Sequence, residues 1–397
     1  MKVAVTHSVA LNGGDAAILY ALGDLLESAF GEVDVTVFDP DPEVACRLHP
    51  RFRFAPALHA RLYRRRHRRL HAARILAAAG APRLADPCEP SERATLEAYR
   101  DADLVVSTGG TYLVERFDLW PRRFDYALCE RLERGVAFFT QTAGPFADPH
   151  NRQVIGAAFR RSPLLLFRDA TSRDAALSLG ASPTRTFVLP DAVFGLADTD
   201  RLAAATRPSP IARVAISVRG GLDFASPREG ACHYEATLAD LVARLLAEGR
   251  QVTFLSTCQG VPEYWTDDSA TARRILRRLS DRDAARVRLD TRFRRPDELI
   301  ARFADFDLVL ATRLHAAILA LVAGTPALPI AYERKTAACF ASLPLPCPIP
   351  TVDQLGDLVA SVKRFDTHLD RDALFAAVLE QREGARRAAD LLTLARR

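Results

Sequence analysis

Hydrophobic residues along this chain come in short runs separated by helical stripes. Lys2–His7 reads as a strand. Ala16–Phe30 reads as a helix with Ile18, Leu22, Leu25, Leu26 and Ala29 on one stripe, and Val33–Phe38 as a second strand. The alternation continues with strands at Asp103–Ser107, Val136–Thr140, Leu164–Phe167 and Thr186–Leu189, and helices at Phe124–Glu133, Gln153–Arg160 and Thr171–Leu179. Near 198–210 the chain turns polar and carries prolines, and the pattern then restarts. Strands are expected at Ala212–Val218, Gln251–Ser256, Val287–Leu289, Leu308–Ala311 and Ala327–Ile330. Helices are expected at Tyr234–Ala247, Ala270–Leu279, Pro296–Phe303, Ala316–Ala323 (stopped by Gly324–Thr325–Pro326) and Lys335–Leu343. Strands alternating with helices predict parallel sheets. The expected fold is α/β, two Rossmann-like domains facing a cleft: residues 1–205, residues 206–366, and a helical tail 367–397 packing back on the first domain.

Residues 46–91 break the rhythm. No acid occurs between Glu43 and Asp86, and Leu58, Leu62, Tyr63, Leu70, Ala73, Leu76 and Ala77 form a helical stripe broken at Arg66. Such a basic amphipathic segment is either a helical insertion with a charged outer face or, through 46–80, a peripheral contact with an anionic membrane or a lipid-linked acceptor. Nucleic acid is not expected, because the aromatic interleaving and the known modules are missing.

The composition narrows the class. The chain has 397 residues, enough for about two to three domains, with 49% hydrophobic and 26% charged residues, as in ordinary globular proteins. No apolar window reaches about 18 residues, and the N-terminal apolar run stops at Asn12–Asp15, too early for a signal peptide. A cytoplasmic location, at most peripheral to the inner membrane face, is the expectation. Seven cysteines without C-x-x-C spacing argue against a disulfide framework or a zinc site. The net charge of +5 is modest, and arginine makes up nearly all of the basic residues.

In parallel α/β sheets ligands bind beyond the carboxyl ends of the strands. There the chain places 12-NGGD-15, 108-TGGTY-112, 141-QTAGPF-146 and 168-RDATS-172, then 219-RGG-221, 257-TCQG-260, 312-TRLH-315 and 331-AYERK-335. The first is either a tight turn capped by Asp15 or an anion site at a helix start; it lacks the G-x-G-x-x-G spacing of dinucleotide folds. Arg219, Arg313 and Lys335 would converge on a small, highly charged anion, since guanidinium forks match carboxylate and phosphate. An imidazole at 315, between an arginine and a helix start, adds a group that can carry a proton near neutral pH.

Together 12-NGGDAAI-18, 109-GG-110, 141-QTAGPF-146, 168-RDATS-172, 219-RGG-221, 313-RLHAAILALVAGTPALPI-330 and 332-YERK-335 resemble the polysaccharide pyruvyl transferase family, in matching order from the first strand to about residue 345. The resemblance implies a glycosyltransferase-B-like fold and transfer of pyruvyl from phosphoenolpyruvate to a sugar as a ketal. It places Arg219, Arg313, Leu314 and His315 at the phosphoenolpyruvate site, with His315 as acid and Lys335 as a charged partner. Glu333, Gly220, Arg168, Asn12, Gly14, Asp15, Gly109 and Gly110 complete the substrate-binding candidates. Asp15, Asp169 and Glu333 are candidate bases for the acceptor hydroxyl. No metal or cofactor is expected, phosphoenolpyruvate being a co-substrate. The resemblance implies a sugar, a glycan or a lipid-linked sugar as acceptor. The first domain departs from the family pattern in its Arg/His-rich segment 46–91 and in having two glycines, not three, after the strand at 103–107. The alternatives are a nucleotide-sugar-dependent glycosyltransferase of the same fold, a family member acting on a small-molecule acceptor, and a non-catalytic anion-binding protein.

Overall fold

The computed structural model describes residues 1–63, 65–81, 89–206, 210–222, 227–332 and 334–395. The chain divides into two compact units: Met1–Ala10 with Ile18–Ala192 and Gly384–Arg397, and Leu11–Ala17 with Val193–Glu383. The division departs from the sequence expectation in three places. The boundary falls at 192/193 instead of 205/206, the segment Leu11–Ala17, which includes the start of helix Gly13–Phe30, groups with the second unit, and only residues from 384 onward, rather than from 367, group with the first.

The first unit contains β1 (Lys2–Thr6), β2 (Asp34–Asp39), β3 (Arg53–Pro56), β4 (Leu104–Ser107), β5 (Gly110–Leu113), β6 (Val136–Ala143), β7 (Leu165–Phe167) and β8 (Thr186–Val188). They form one sheet ordered β3-β2-β1-β4-β6-β7-β8, with β5 on β6 and every pairing parallel. Parallel strands are covered on both faces, which is why Val3, Ala4, Val5, Val105 and Val106 are all buried. The second unit contains β9 (Arg213–Ser217), β10 (Gln251–Phe254), β11 (Arg288–Leu289), β12 (Leu308–Ala311) and β13 (Ala327–Pro329), ordered β11-β10-β9-β12-β13 and again parallel. Each unit has its own core, one around Phe38, Tyr99, Phe138 and Phe159, the other around Ile216, Leu241, Phe254 and Leu310. In both sheets the strand order reverses next to the first strand, so the crevices open between β1 and β4 and between β9 and β12.

Sequence pattern located most elements but not β3, β5, or the helices Pro42–Leu48, Pro90–Asp101 and Leu358–His368, and the stretch 198–210, read as a polar linker, contains helix Thr199–Ala205. The helix read over 58–77 is two helices, Leu58–Tyr63 and Arg68–Gly80, with His67 between them in a left-handed conformation at φ 63°. The break changes which residues face inward. Leu58, Leu62, Ala72, Ile75, Ala78 and Ala79 are buried, whereas Leu70 and Tyr63, expected on the inner stripe, are 66% and 49% exposed. Among the described residues no helix is long and apolar enough to cross a membrane.

Candidate functional site

The second unit concentrates charge at its crevice. Arg313 leaves the end of β12 as the residue preceding helix Leu314–Val322. Its Nε and Nη2 donate to the two carboxylate oxygens of Asp268 at 2.8 and 2.7 Å. Asp268 is 0% exposed, and it also accepts the Ser256 hydroxyl at 2.6 Å and the Gly220 amide at 3.1 Å. A carboxylate removed from water needs that many donors to offset its lost hydration. The guanidinium is nearly as secluded. Burial works against its charge, yet the Asp268 carboxylate holds its pKa above the ordinary arginine range. Burial also pushes the Cys258 thiol up, to about 11, so it is a neutral wall of the site.

Arg219 follows β9 on the other side of the crevice. Its guanidinium stacks 4.0 Å above the Tyr332 ring, and its buried Nε has no partner among the described residues. The next residue's amide is bound to the carboxylate that grips Arg313, so the ends of β9 and β12 are tied through Asp268.

The segment 11–17, a turn and the first residues of helix Gly13–Phe30, completes this unit. The Gly13 amide donates to the Thr257 carbonyl at 3.1 Å, Gly14 donates to Asn12 Oδ1 at 2.9 Å, and Asn12 Nδ2 donates to Tyr264 Oη at 3.2 Å. Both glycines are required by close approach. A Cβ at Gly13 would lie 2.4 Å from the Thr257 carbonyl oxygen, and one at Gly14 would lie 2.4 Å from His315 Nδ1. The half-buried imidazole of His315, in the first turn of helix Leu314–Val322, therefore rests against bare backbone. Asp15 is close enough for its charge to act on Cys258 and on Tyr264, whose hydroxyl is pushed up by burial first and by those charges second.

Of the residues named from sequence, Arg219, Gly220, Arg313, Leu314, His315, Asn12, Gly14 and Asp15 belong to this unit, with Leu314 itself buried in the helix's first turn. Glu333 and the Lys335 side chain lie outside the described residues. Arg168, Gly109 and Gly110 belong to the first unit. Arg168 is committed there to buried Asp191 at 2.5 Å and to the hydroxyls of Thr111 and Thr142, each at 3.0 Å. Gly109 is a packing glycine, since a Cβ there would meet Thr140 Oγ1 at 2.5 Å. Asp169 caps helix Ala170–Ser178, with one oxygen accepting the Ser172 amide at 2.7 Å and the other its hydroxyl at 2.8 Å.

Sequence reading missed Asp268, which only stands out as an acid opening a helix after the 257-TCQG turn. It also missed a buried polar cluster at the β1/β4 crevice. Asp125 Oδ2 accepts from Thr6 at 3.2 Å, bonds His59 Nδ1 at 2.8 Å and lies 3.0 Å from His7 Nε2, which is off line for a hydrogen bond. His7 Nδ1 bonds Ser107 Oγ at 2.9 Å, and Ser107 Oγ meets Tyr112 Oη at 2.9 Å. Burial lowers the His7 pKa to about 4. Burial alone would raise Asp125, but His59 and His7 outweigh it and hold the carboxyl below the usual range. A histidine directly after the first strand was the available signal.

Comparison with known proteins gives the chain a family and a fold. The chain is 26% identical over 407 residues to the amylovoran biosynthesis protein AmsJ of Erwinia amylovora, covering 96% of each. The fold is shared with Anabaena Alr3699/HepE, solved in complex with UDP-glucose (TM-score 0.56, 14% identity, 100% of this chain and 97% of that one). It is also shared with the UDP-GlcNAc 2-epimerase of Neisseria meningitidis bound to UDP-GlcNAc (TM-score 0.60, 12% identity, 100% and 99%). At such identities the likeness is one of architecture, and the architecture is glycosyltransferase-B-like. The model of the polysaccharide pyruvyl transferase family matches residues 12–334, a span that includes Asn12, Arg219, Asp268, Arg313 and His315. The chain belongs to the polysaccharide pyruvyl transferase family, and its role is pyruvyl transfer in polysaccharide synthesis.

Proposed function

We propose that the donor is phosphoenolpyruvate, bound at the β9/β12 crevice of the second unit, and that its pyruvyl group is transferred to sugar hydroxyls as a ketal with release of phosphate. The observation that carries this reading is the Asp268 fork on Arg313, with Arg219 held over Tyr332 beside it. A carboxylate and a phosphate on one small frame call for several oriented cations. Two donors of Arg313 are spent on Asp268, which fixes the plane of the guanidinium before any ligand arrives; binding then costs little side-chain freedom. Arg219 supplies the second guanidinium, and Lys335 is the further cation on this reading.

Those placements support the following sequence of steps. His315 donates a proton to the methylene carbon, and the central carbon becomes an oxocarbenium. One sugar hydroxyl adds to it and gives up its proton, for which Asp15, one residue from Gly14, is the carboxylate we assign. The guanidiniums stabilise the departing phosphate. A second hydroxyl then closes the ketal, its proton leaving with the phosphate or solvent. Overall a diol and phosphoenolpyruvate give a pyruvyl ketal and inorganic phosphate, with no redox change.

Titration calorimetry with phosphoenolpyruvate and, separately, UDP-glucose tests the donor: heat with the first and none with the second is expected, and the reverse overturns the reading in favour of a nucleotide-sugar transferase. His315→Ala should lower phosphate release with a diol acceptor by about 100- to 10,000-fold, the usual range for a general acid, while phosphoenolpyruvate affinity falls only moderately. Equal release by the variant and the parent protein removes His315 from the acid role.

A further inference from the structure

Of the stripe that suggested a membrane-binding helix within 46–80, Leu58 and Leu62 are turned into the protein, while Tyr63, Leu70, Ala73 and Ala77 face outward. Leu58 and Leu62 are buried in the core of the first unit, as are Ala72 and Ile75. Outside lie Leu70, 66% exposed, Tyr63, and Phe117, 46% exposed, with Trp120 partly exposed between helix and loop. Tyr63 and Trp120 meet at 6.3 Å between ring centroids, and the Arg68 guanidinium covers both, at 4.7 and 5.2 Å. Arg116 lies over Phe117 at 4.8 Å. Arg66, His67 and Arg69 are exposed on the turn and first helical residues beside them. Acids are present as well: Glu89 and Glu92 pair with Arg65, and exposed Asp118, between Phe117 and Trp120 in the chain, accepts the Trp120 amide.

We propose that this surface of the first unit docks on an anionic lipid bilayer. Three features select that partner. Aromatic rings next to guanidiniums are the side chains that settle at a lipid–water boundary, with ring bodies among the acyl chains and charges among headgroups. An exposed leucine and phenylalanine have no use in a purely electrostatic contact with a nucleic acid, whereas they add apolar burial at a bilayer. The placement also fits: helix Leu58–Tyr63 follows the carboxyl end of β3 and the segment 114–120 follows that of β5, so the surface lies on the ligand-binding edge of its sheet. A sugar carried on a lipid would be presented to that edge. This inference stands apart from the donor assignment, because it concerns the surface that brings the acceptor and its test needs no turnover.

The test is co-sedimentation of the full chain with phosphatidylcholine vesicles and with mixed phosphatidylglycerol/phosphatidylcholine vesicles. Binding to the mixed vesicles, little to phosphatidylcholine alone, and loss of binding in high salt are expected. At about fivefold in partitioning per arginine, the double variant Arg66→Glu/Arg69→Glu should weaken binding at least about 25-fold. Leu70→Ser/Phe117→Ser should weaken it while leaving the salt dependence in place. Both variants change exposed side chains, and an unchanged circular dichroism melt certifies that each is folded. Absence of binding to the mixed vesicles, equal binding to phosphatidylcholine, or indifference to the charge reversal overturns the proposal. Binding of a DNA oligonucleotide in place of vesicles, lost on the same charge reversal, overturns it as well.

Discussion

Asp268 and Asp267 are adjacent acids with different tasks. Asp267 accepts the Ser269 amide at 2.9 Å and caps helix Asp268–Leu276, a local contact worth about 1 kcal/mol. Asp268 is buried and holds Arg313, Ser256 and Gly220 together. Removing one side of a buried ion pair leaves the other uncompensated, at a cost of about 3–5 kcal/mol. Asp268→Asn should therefore lower the urea midpoint far more than Asp267→Ala, and it should also weaken phosphoenolpyruvate binding, which Asp267→Ala leaves in place. Similar midpoints for the two variants would show that Asp268 is not the tie between the strand ends. Gly14→Ala makes a separate point at the same scale. Its methyl would enter the ring of His315, so the rate of phosphate release should drop at least about tenfold while the melting temperature moves little, as a misplacement of about 1 Å at the reacting group is enough. Neither Asp268 nor the Gly14–His315 contact is legible in the sequence, since each depends on partners tens to hundreds of residues away.

Elements were legible where local rules act alone. Helix Leu314–Val322 stops where Gly324 predicts it should: Gly324 has φ +80°, its amide bonds the Leu321 carbonyl, and the Thr325 amide bonds that of Ala320. Gly324→Ala forces a side chain into the left-handed region and brings its Cβ within 2.8 Å of Ala205 Cβ, so a loss of about 1–2 kcal/mol or more is expected in a denaturant titration. Elements were illegible where neighbours decide. β3 is RFAP and β5 is GTYL, four residues each, one closed by a proline and the other opened by a glycine, both depleted in strands. They are strands because β2 and β6 offer them backbone partners. The break at His67 likewise shows in the sequence only as an interrupted stripe, while its effect, turning Leu70 outward, is set by how helix Arg68–Gly80 packs on helix Trp120–Arg131.

At the scale of the whole molecule, the buried cluster at the β1/β4 crevice couples folding to pH. The unfolded chain protonates His7 near its ordinary value of 6.5, whereas the folded chain does so only near 4. Between those values the unfolded state binds more protons, so stability falls as pH drops from 6.5 to about 4, by roughly 3 kcal/mol at most. Asp125 acts in the same direction at lower pH: its depressed pKa gives stability above the unfolded carboxyl range that is lost as acid reaches the folded value. Calorimetric melting temperatures should decline through that window. His7→Asn, which tolerates the same left-handed backbone, should flatten the decline above pH 4. An equally steep profile in the variant would move the effect to other groups.

The sequence by itself determined the class of fold, the order of most strands and helices, and which turns carry glycine, arginine and histidine, because these follow from periodicity and from chemistry confined to a few neighbours. The tertiary structure decided the rest: that Asp268 joins Arg313 to Gly220, that Gly14 faces His315, that Arg168 belongs to Asp191, and which face of 58–80 meets solvent. Those outcomes rest on strand register and helix packing, where side chains far apart along the chain compete for the same buried space and the same hydrogen bonds.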